Sequence, residues 1–123
     1  MTVSAADGRP FSVDIVIDGR CILLRLGGSL VRENVPRLVR WLERIGRLDG
    51  PVRVAVDLRS LAGCDADGAA ALITGAQRIR QVGGRLIIAS LPATCEATFA
   101  DMTMLDVRRT VSAAIEELDG WSP

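Results

Sequence analysis

VRVAVDLRSLAGCDADGAAALITGAQRIRQVGG, residues 52–84, decides the architecture. Val52, Val54 and Val56 recur in phase, which predicts a strand over Val52–Leu58. Ser60–Asp67 is small and polar and reads as a loop. From Ala69 to Val82 the spacing changes to that of a helix, with Ala69, Leu72, Ile73, Ala76 and Ile79 on one face. Gly83-Gly84 supplies the stop. Arg85–Ser90, containing Leu86-Ile87-Ile88, is the next strand. A strand, a helix and a strand in this order form a right-handed crossover, so the two strands run parallel.

The same unit stands upstream. Cys21–Leu26 is a strand whose run Ile22-Leu23-Leu24 is apolar without alternation, as for a strand covered on both faces, and Gly27-Gly28 is expected to end it. Glu33–Leu48 is a predicted helix with Val35, Leu38, Leu42 and Ile45 inward and Arg37, Arg40, Arg44 and Arg47 on the opposite side. Before it, Phe11, Val13, Ile15 and Ile17 alternate with Ser12 and Asp14, and Asp18-Gly19 marks a two-residue hairpin turn. Pro92–Met102 and Ser112–Leu118 complete the pattern as two further helices. The expected fold class is α/β: a mixed sheet of four to five strands, with an N-terminal antiparallel hairpin and parallel inner strands, carrying about four helices. Residues 11–119 form a single domain in this reading, 1–10 a flexible N-terminus and 120–123 a tail. Ligands and partners of such sheets meet the loops at the carboxyl ends of the strands, here Gly27–Arg32, Ser60–Asp67 and Leu91–Ala93.

Composition narrows the chemistry. The 123 residues are 49% apolar and 24% charged, with 15 cations against 15 anions. That balance gives no general reason to expect nucleic acid or an anionic membrane as partner. All the cations are arginine, because there is no lysine, and histidine and tyrosine are absent too. Without histidine there is no Ser-His-Asp or Cys-His nucleophile. Without lysine there is no Schiff base and no GKT-type phosphate loop. Met1–Pro10 has no apolar run and no window reaches about 18 apolar residues, so neither a secretory signal nor a membrane span is expected, and the location is read as cytoplasmic.

Asp57, Asp65 and Asp67 surround the predicted exit of the strand over Val52–Leu58. A magnesium or phospho-aspartate site of the receiver type would use such carboxylates, but its phosphoryl clamp is a lysine. Capping suffices: Asp65 and Asp67 stand before a helix whose first N–H groups lack partners and whose dipole favours anions. Gly68 allows a close backbone approach there, and Asp57 accepts hydrogen bonds where the strand leaves the sheet.

Leu24-Arg25-Leu26-Gly27-Gly28-Ser29-Leu30, Val54-Ala55-Val56-Asp57-Leu58, and Asp65-Ala66-Asp67-Gly68 before an alanine-rich helix together resemble the STAS domain. Gly83-Gly84-Arg85-Leu86 repeats that family's turn into the next strand. The resemblance spans about Val13–Leu118 and implies a protein–protein interaction module of the anti-sigma factor antagonist type, without catalysis or a bound cofactor. In that circuit the antagonist binds an anti-sigma factor that is also a serine kinase, and phosphorylation within a DSSG motif ends the contact by adding charge and bulk to it. Here the motif reads Asp65-Ala66-Asp67-Gly68, with Ala66 at the phosphoacceptor position and Asp67 at the following serine, and Val31 stands where an acidic residue is frequent.

The resemblance implies a partner surface of Ser29, Arg32, Ser60, Asp65, Ala66, Asp67 and Gly68. It implies as partner a serine-kinase anti-sigma factor, or else another STAS or ATPase protein of a signalling scaffold or transporter complex. No nucleic acid and no membrane insertion are expected, and self-association stays open. Ser60 and Thr74 are the nearby hydroxyls, Thr74 reading as an ordinary helix residue. Of three cysteines, Cys21, Cys64 and Cys95, the last two follow successive strands, and parallel pairing could bring them together as a redox pair if their Cα atoms come within about 7 Å. Otherwise they are small buried hydrophobes.

Overall fold

A computed structural model describes residues 10–100 and 104–123. The expected flexible lead-in, apart from Pro10, lies outside them. The chain runs β1 (Ser12–Asp18), β2 (Cys21–Leu30), α1 (Val35–Gly46), β3 (Arg53–Cys64), α2 (Ala66–Gln81), β4 (Arg85–Ala89), α3 (Ala93–Phe99), β5 (Asp106–Arg108) and α4 (Val111–Asp119). The strands lie side by side in chain order, β1-β2-β3-β4-β5. β1 pairs antiparallel with β2 and every later pair is parallel. The mixed sheet with a front hairpin and parallel inner strands is therefore as expected.

β2, β3 and β4 are apolar on both faces because both faces are covered. Leu24, Leu26, Val54, Val56 and Ile88 point into the larger core with Leu38, Leu42, Leu72 and Ile79 of α1 and α2 and Cys95 and Phe99 of α3. Leu23, Ala55, Ile87 and Ala89 point the other way, against Ala114 and Leu118 of α4. The edge strand β1 is less covered than its alternation suggests. Ile15 and Ile17 share the large-core side with Leu24 and Ile22, yet Ile17 is 68% exposed. The hairpin loop is Gly19–Arg20 rather than Asp18-Gly19, and only Gly19, at φ +60°, needs the left-handed region.

Several boundaries depart from the sequence reading. Gly27-Gly28 does not end β2; the strand runs on to Leu30, with Gly28 at φ +76°. Ser60–Asp67 is mostly not a loop, because β3 continues to Cys64 and pairs with that extension, Gly27 with Ser60 and Leu30 with Cys64. Two register shifts, between Arg25 and Gly27 and between Gly28 and Ser29, let the pair stay joined across polar and glycine positions that carry no alternation. α2 begins at Ala66, three residues before its first apolar position at Ala69, because Asp65 caps it there. β5 forms from Asp106-Val107-Arg108, too short to show a period. α1 is preceded by a 3-10 turn, Arg32–Asn34, and α3 spans Ala93–Phe99, while Asp101 and Met102 of the predicted Pro92–Met102 lie outside the described residues.

Candidate functional site

The extensions of β2 and β3 end together, and Asp65 joins both ends to the start of α2. Its backbone N–H donates to the Leu30 carbonyl at 3.2 Å. Its Oδ1 accepts from the Gly68 N–H at 2.8 Å, capping α2. Its Oδ2 accepts from the Arg32 N–H at 2.9 Å, 33 positions away in sequence. One residue thus holds the end of β2, the 3-10 turn and the first turn of α2 in one geometry. Burial pushes this carboxyl up, but the N–H groups of Gly68, Arg32, Asp65 itself and Asp67 outweigh that, and its pKa falls below the usual aspartate value. The cap is an anion, as a helix N-terminus favours.

Gly68 is required by contact. A Cβ there would overlap the Leu30 carbonyl oxygen and stand 2.8 Å from Leu30 Cγ. α2 is therefore seated directly on the end of β2, and Ala66, Asp67 and Ala70 are left exposed on its first turns.

Of the residues expected at the partner surface, the structure brings Arg32, Asp65, Ala66, Asp67 and Gly68 together. Ser29 lies just behind them, half-buried, its carbonyl accepting from Asn34 Nδ2 at 2.8 Å. Ser60 is exposed but pairs with Gly27, four residues before the end of β3 and on the order of 13 Å from it along the strand. Asp57 does not join Asp65 and Asp67. It is 4% exposed inside β3, accepts from the Arg59 N–H at 2.9 Å, and has Arg25 and Arg59 guanidinium nitrogens at 4.0 and 3.8 Å. It fastens the first register shift rather than a ligand. No three potential metal ligands converge among the described residues.

A groove between α1 and α2 leads away from this point. At its upper end Arg32, Val35, Val39, Asp67, Ala70, Ala71 and Thr74 line a depression of about 340 Å³. Val39, Ala71 and Thr74 also line the next one, about 320 Å³, which runs down to Gly46, Arg47, Arg78 and Val82. The contribution of α1 is absent from the sequence reading. Its signal is the row of small residues on α2, Ala70, Ala71, Thr74 and Gly75, which brings the helices close and keeps the furrow shallow.

A five-stranded mixed sheet with a capped helix start held against the end of the neighbouring strand defines an α/β docking scaffold of a known kind. The chain belongs to the STAS domain family, whose profile matches residues 12–118. Among curated proteins no sequence matches it. Its fold is similar to that of the anti-sigma factor antagonist SpoIIAA in its unphosphorylated form, with TM-score 0.71 at 19% identity over 91% of this chain and 100% of that one. It is likewise similar to an anti-sigma factor antagonist from Mycobacterium paratuberculosis, with TM-score 0.76 at 12% identity over 95% and 99% of the two chains. The murine anion transporter Slc26a9 contains the same fold, with TM-score 0.70 at 12% identity over 83% of this chain but only 18% of the transporter. No helix among the described residues is long and apolar enough to cross a membrane.

Proposed function

We propose that this STAS domain works as an anti-sigma factor antagonist, docking a kinase-type anti-sigma factor through the start of α2 and the adjoining groove. The observation that carries this reading is the Asp65 staple. It spends a charged side chain on fixing Arg32 and the first turn of α2, while Ala66, Asp67 and Ala70 stay exposed beside an apolar furrow rimmed by Arg32, Arg47 and Arg78. A prearranged surface of this sort loses little conformational entropy on binding. Likeness of fold to SpoIIAA and to the mycobacterial antagonist supports the choice of partner.

The surface is not switched by phosphate at its centre in this reading. Neither residue between Asp65 and Gly68 has a hydroxyl, and Ala66 stands at the acceptor position that the family resemblance implies. Asp67 provides one fixed negative charge near the helix start, less than a phosphoserine would. The domain is thus a binding module without catalysis or cofactor, acting in the cytoplasm.

Binding to the immobilised 123-residue chain tests this. A protein with a kinase-type anti-sigma fold is expected to be retained, to dissociate when Ala70→Arg blocks the furrow, and to leave the chain unlabelled by γ-phosphate from ATP. Retention only of transporter subunits or of other STAS proteins overturns the reading in favour of a structural accessory role, which the Slc26a9 likeness represents.

A further inference from the structure

Cys64 ends β3 and Cys95 lies in the first turns of α3. Both side chains pack into the large core, and the Cys95 thiol is near enough to perturb that of Cys64. α3 is held against the end of β3 by a contact one turn beyond Cys95, where Thr98 Oγ1 donates to the Cys64 carbonyl at 3.4 Å. Cys95 is fully buried and Cys64 is half-buried. Cys21 cannot compete for either, because it lies on the opposite face of the sheet against α4, where its thiol meets Asp119 Oδ1 at 3.4 Å.

We propose that Cys64 and Cys95 are a redox modification site that closes reversibly into a disulfide, tying α3 to the foot of α2. Cys64 immediately precedes the Asp65 staple, so the bond adds a covalent anchor to the strand end from which α2 starts. Formation of the bond does not depend on who the partner of the domain is.

The oxidant is a peroxide. The Cys64 sulfur, being the more accessible, attacks one peroxide oxygen; the O–O bond breaks, water leaves, and Cys64 becomes a sulfenic acid. The Cys95 sulfur then attacks the Cys64 sulfur, the S–O bond breaks, and the hydroxyl leaves as water with the Cys95 proton. Two thiols are oxidised and one hydrogen peroxide is reduced to two waters. Burial, reinforced by the neighbouring Cys95 thiol, pushes the Cys64 thiol up to about 12. The reactive thiolate is therefore scarce at neutral pH and the first step is slow. The same apolar setting favours the product, since a disulfide buries no charge. The pair closes under sustained oxidation rather than in a brief pulse.

Trypsin places the three cysteines on separate peptides, 21–25, 60–78 and 86–108, because cleavage follows arginine. The folded full chain is treated with hydrogen peroxide, its free thiols are alkylated, and it is digested without reductant. The expected product is peptide 60–78 linked to 86–108, with Cys21 alkylated, the link disappearing with a dithiol reductant. The oxidised chain should melt about 10 °C higher, from the entropy the link removes from the unfolded state. In Cys95→Ser no link forms and a dimedone probe traps the Cys64 sulfenic acid. Recovery of both peptides with free thiols, or with separate sulfinic acids, overturns the proposal, as does a link to Cys21 or one that forms only in denaturant. The mapping on the unsubstituted chain decides the matter even if the variant fails to fold.

Discussion

On one side of the sheet α1 and α2 are seated where side chains are missing; on the other α4 is seated by arginines. Gly68 lets α2 touch the Leu30 carbonyl, and Gly75 leaves room for the Leu42 side chain of α1. Across the sheet, Arg108 grips Glu117 with two nitrogens, and Arg85 reaches the same carboxylate. Arg53 donates to the carbonyls of Leu118 and Trp121 and stacks on the Trp121 ring, and Arg20 donates to that of Asp119. These contacts involve the stretch 120–123 that reads as a tail. The first arrangement is closed chiefly by shape, the Asp65 cap and the exposed Glu43–Arg78 pair apart, and so depends less on salt and pH. The second is held by charge at partly exposed positions and responds to both. The candidate site is built on the shape-closed side, which suits a surface that must keep its form.

The hardest way to break the contrast is to add a methyl group on the closed side. Gly68→Ala drives a Cβ into rigid backbone, so α2 must move; a loss of about 3 kcal/mol is expected in denaturant unfolding. Gly75→Ala meets only the far end of the Leu42 side chain, which can turn aside, and about 1 kcal/mol is expected. Equal losses would mean that helix contact in general, rather than the seat of α2 on Leu30, sets the stability of this face.

Next in size is the staple. Asp65→Ala removes a cap and the cross-link to Arg32 and should cost about 1–2 kcal/mol in the same measurement, whereas Asp65→Asn keeps two acceptor lone pairs for Gly68 and should recover much of it. Hydrogen exchange sharpens the point. The Arg32 N–H should lose protection in Asp65→Ala, while amides of α4 should not change.

Asp65 and Gly68 also mark the limit of what the sequence makes legible. They are readable as cap and close-approach glycine because capping is local and leaves a pattern within four residues. The bond from Arg32 to Asp65 is not, since nothing local marks a contact 33 positions apart. The parallel crossovers follow from apolar periods, but the extensions Gly27–Leu30 and Ser60–Cys64 are glycine-rich and polar, and only their mutual pairing makes them strands. Asp57 joins an acidic cluster only by its nearness in sequence. The continuation of β3 carries Asp65 away from it and leaves Asp57 holding a register shift. β5 and the α1 wall of the groove exist through tertiary contact alone.

The charged side of the comparison is broken with acid. Hydrogen bonds from Arg108 and then Arg85 draw the Glu117 carboxyl down to about 2. A carboxyl lowered on folding adds stability above its unfolded pKa of about 4.3 and loses it as pH falls toward 2. The melting temperature should therefore fall between pH 5 and 2 more steeply in the unsubstituted chain than in Glu117→Gln, and the two curves should converge near pH 2. Salt should flatten the difference. Two parallel curves would show that the arginine contacts of α4 are not what acid dissolves.

The smallest change in stability belongs to the substitution with the largest regulatory consequence. Ala66 is exposed in the first turn of α2, and its replacement by serine touches none of the contacts that seat the helix. Unfolding of Ala66→Ser should differ by no more than about 0.5 kcal/mol from the parent. The fixed Asp65 cap and the seat on Leu30 are already in place, so the new hydroxyl would be presented at a helix N-terminus, where a phosphate is favoured by unpaired N–H groups and the dipole. A kinase-type anti-sigma factor that retains the parent chain should transfer phosphate to Ala66→Ser and then release it. If the variant is bound but never labelled, Asp67 beside it is the obstacle, and Asp67→Ser in the same chain should restore transfer. If both hydroxyls together stay unlabelled, the loss of the switch does not lie in this turn, and the shape-closed face is specialised for a partner that carries no kinase.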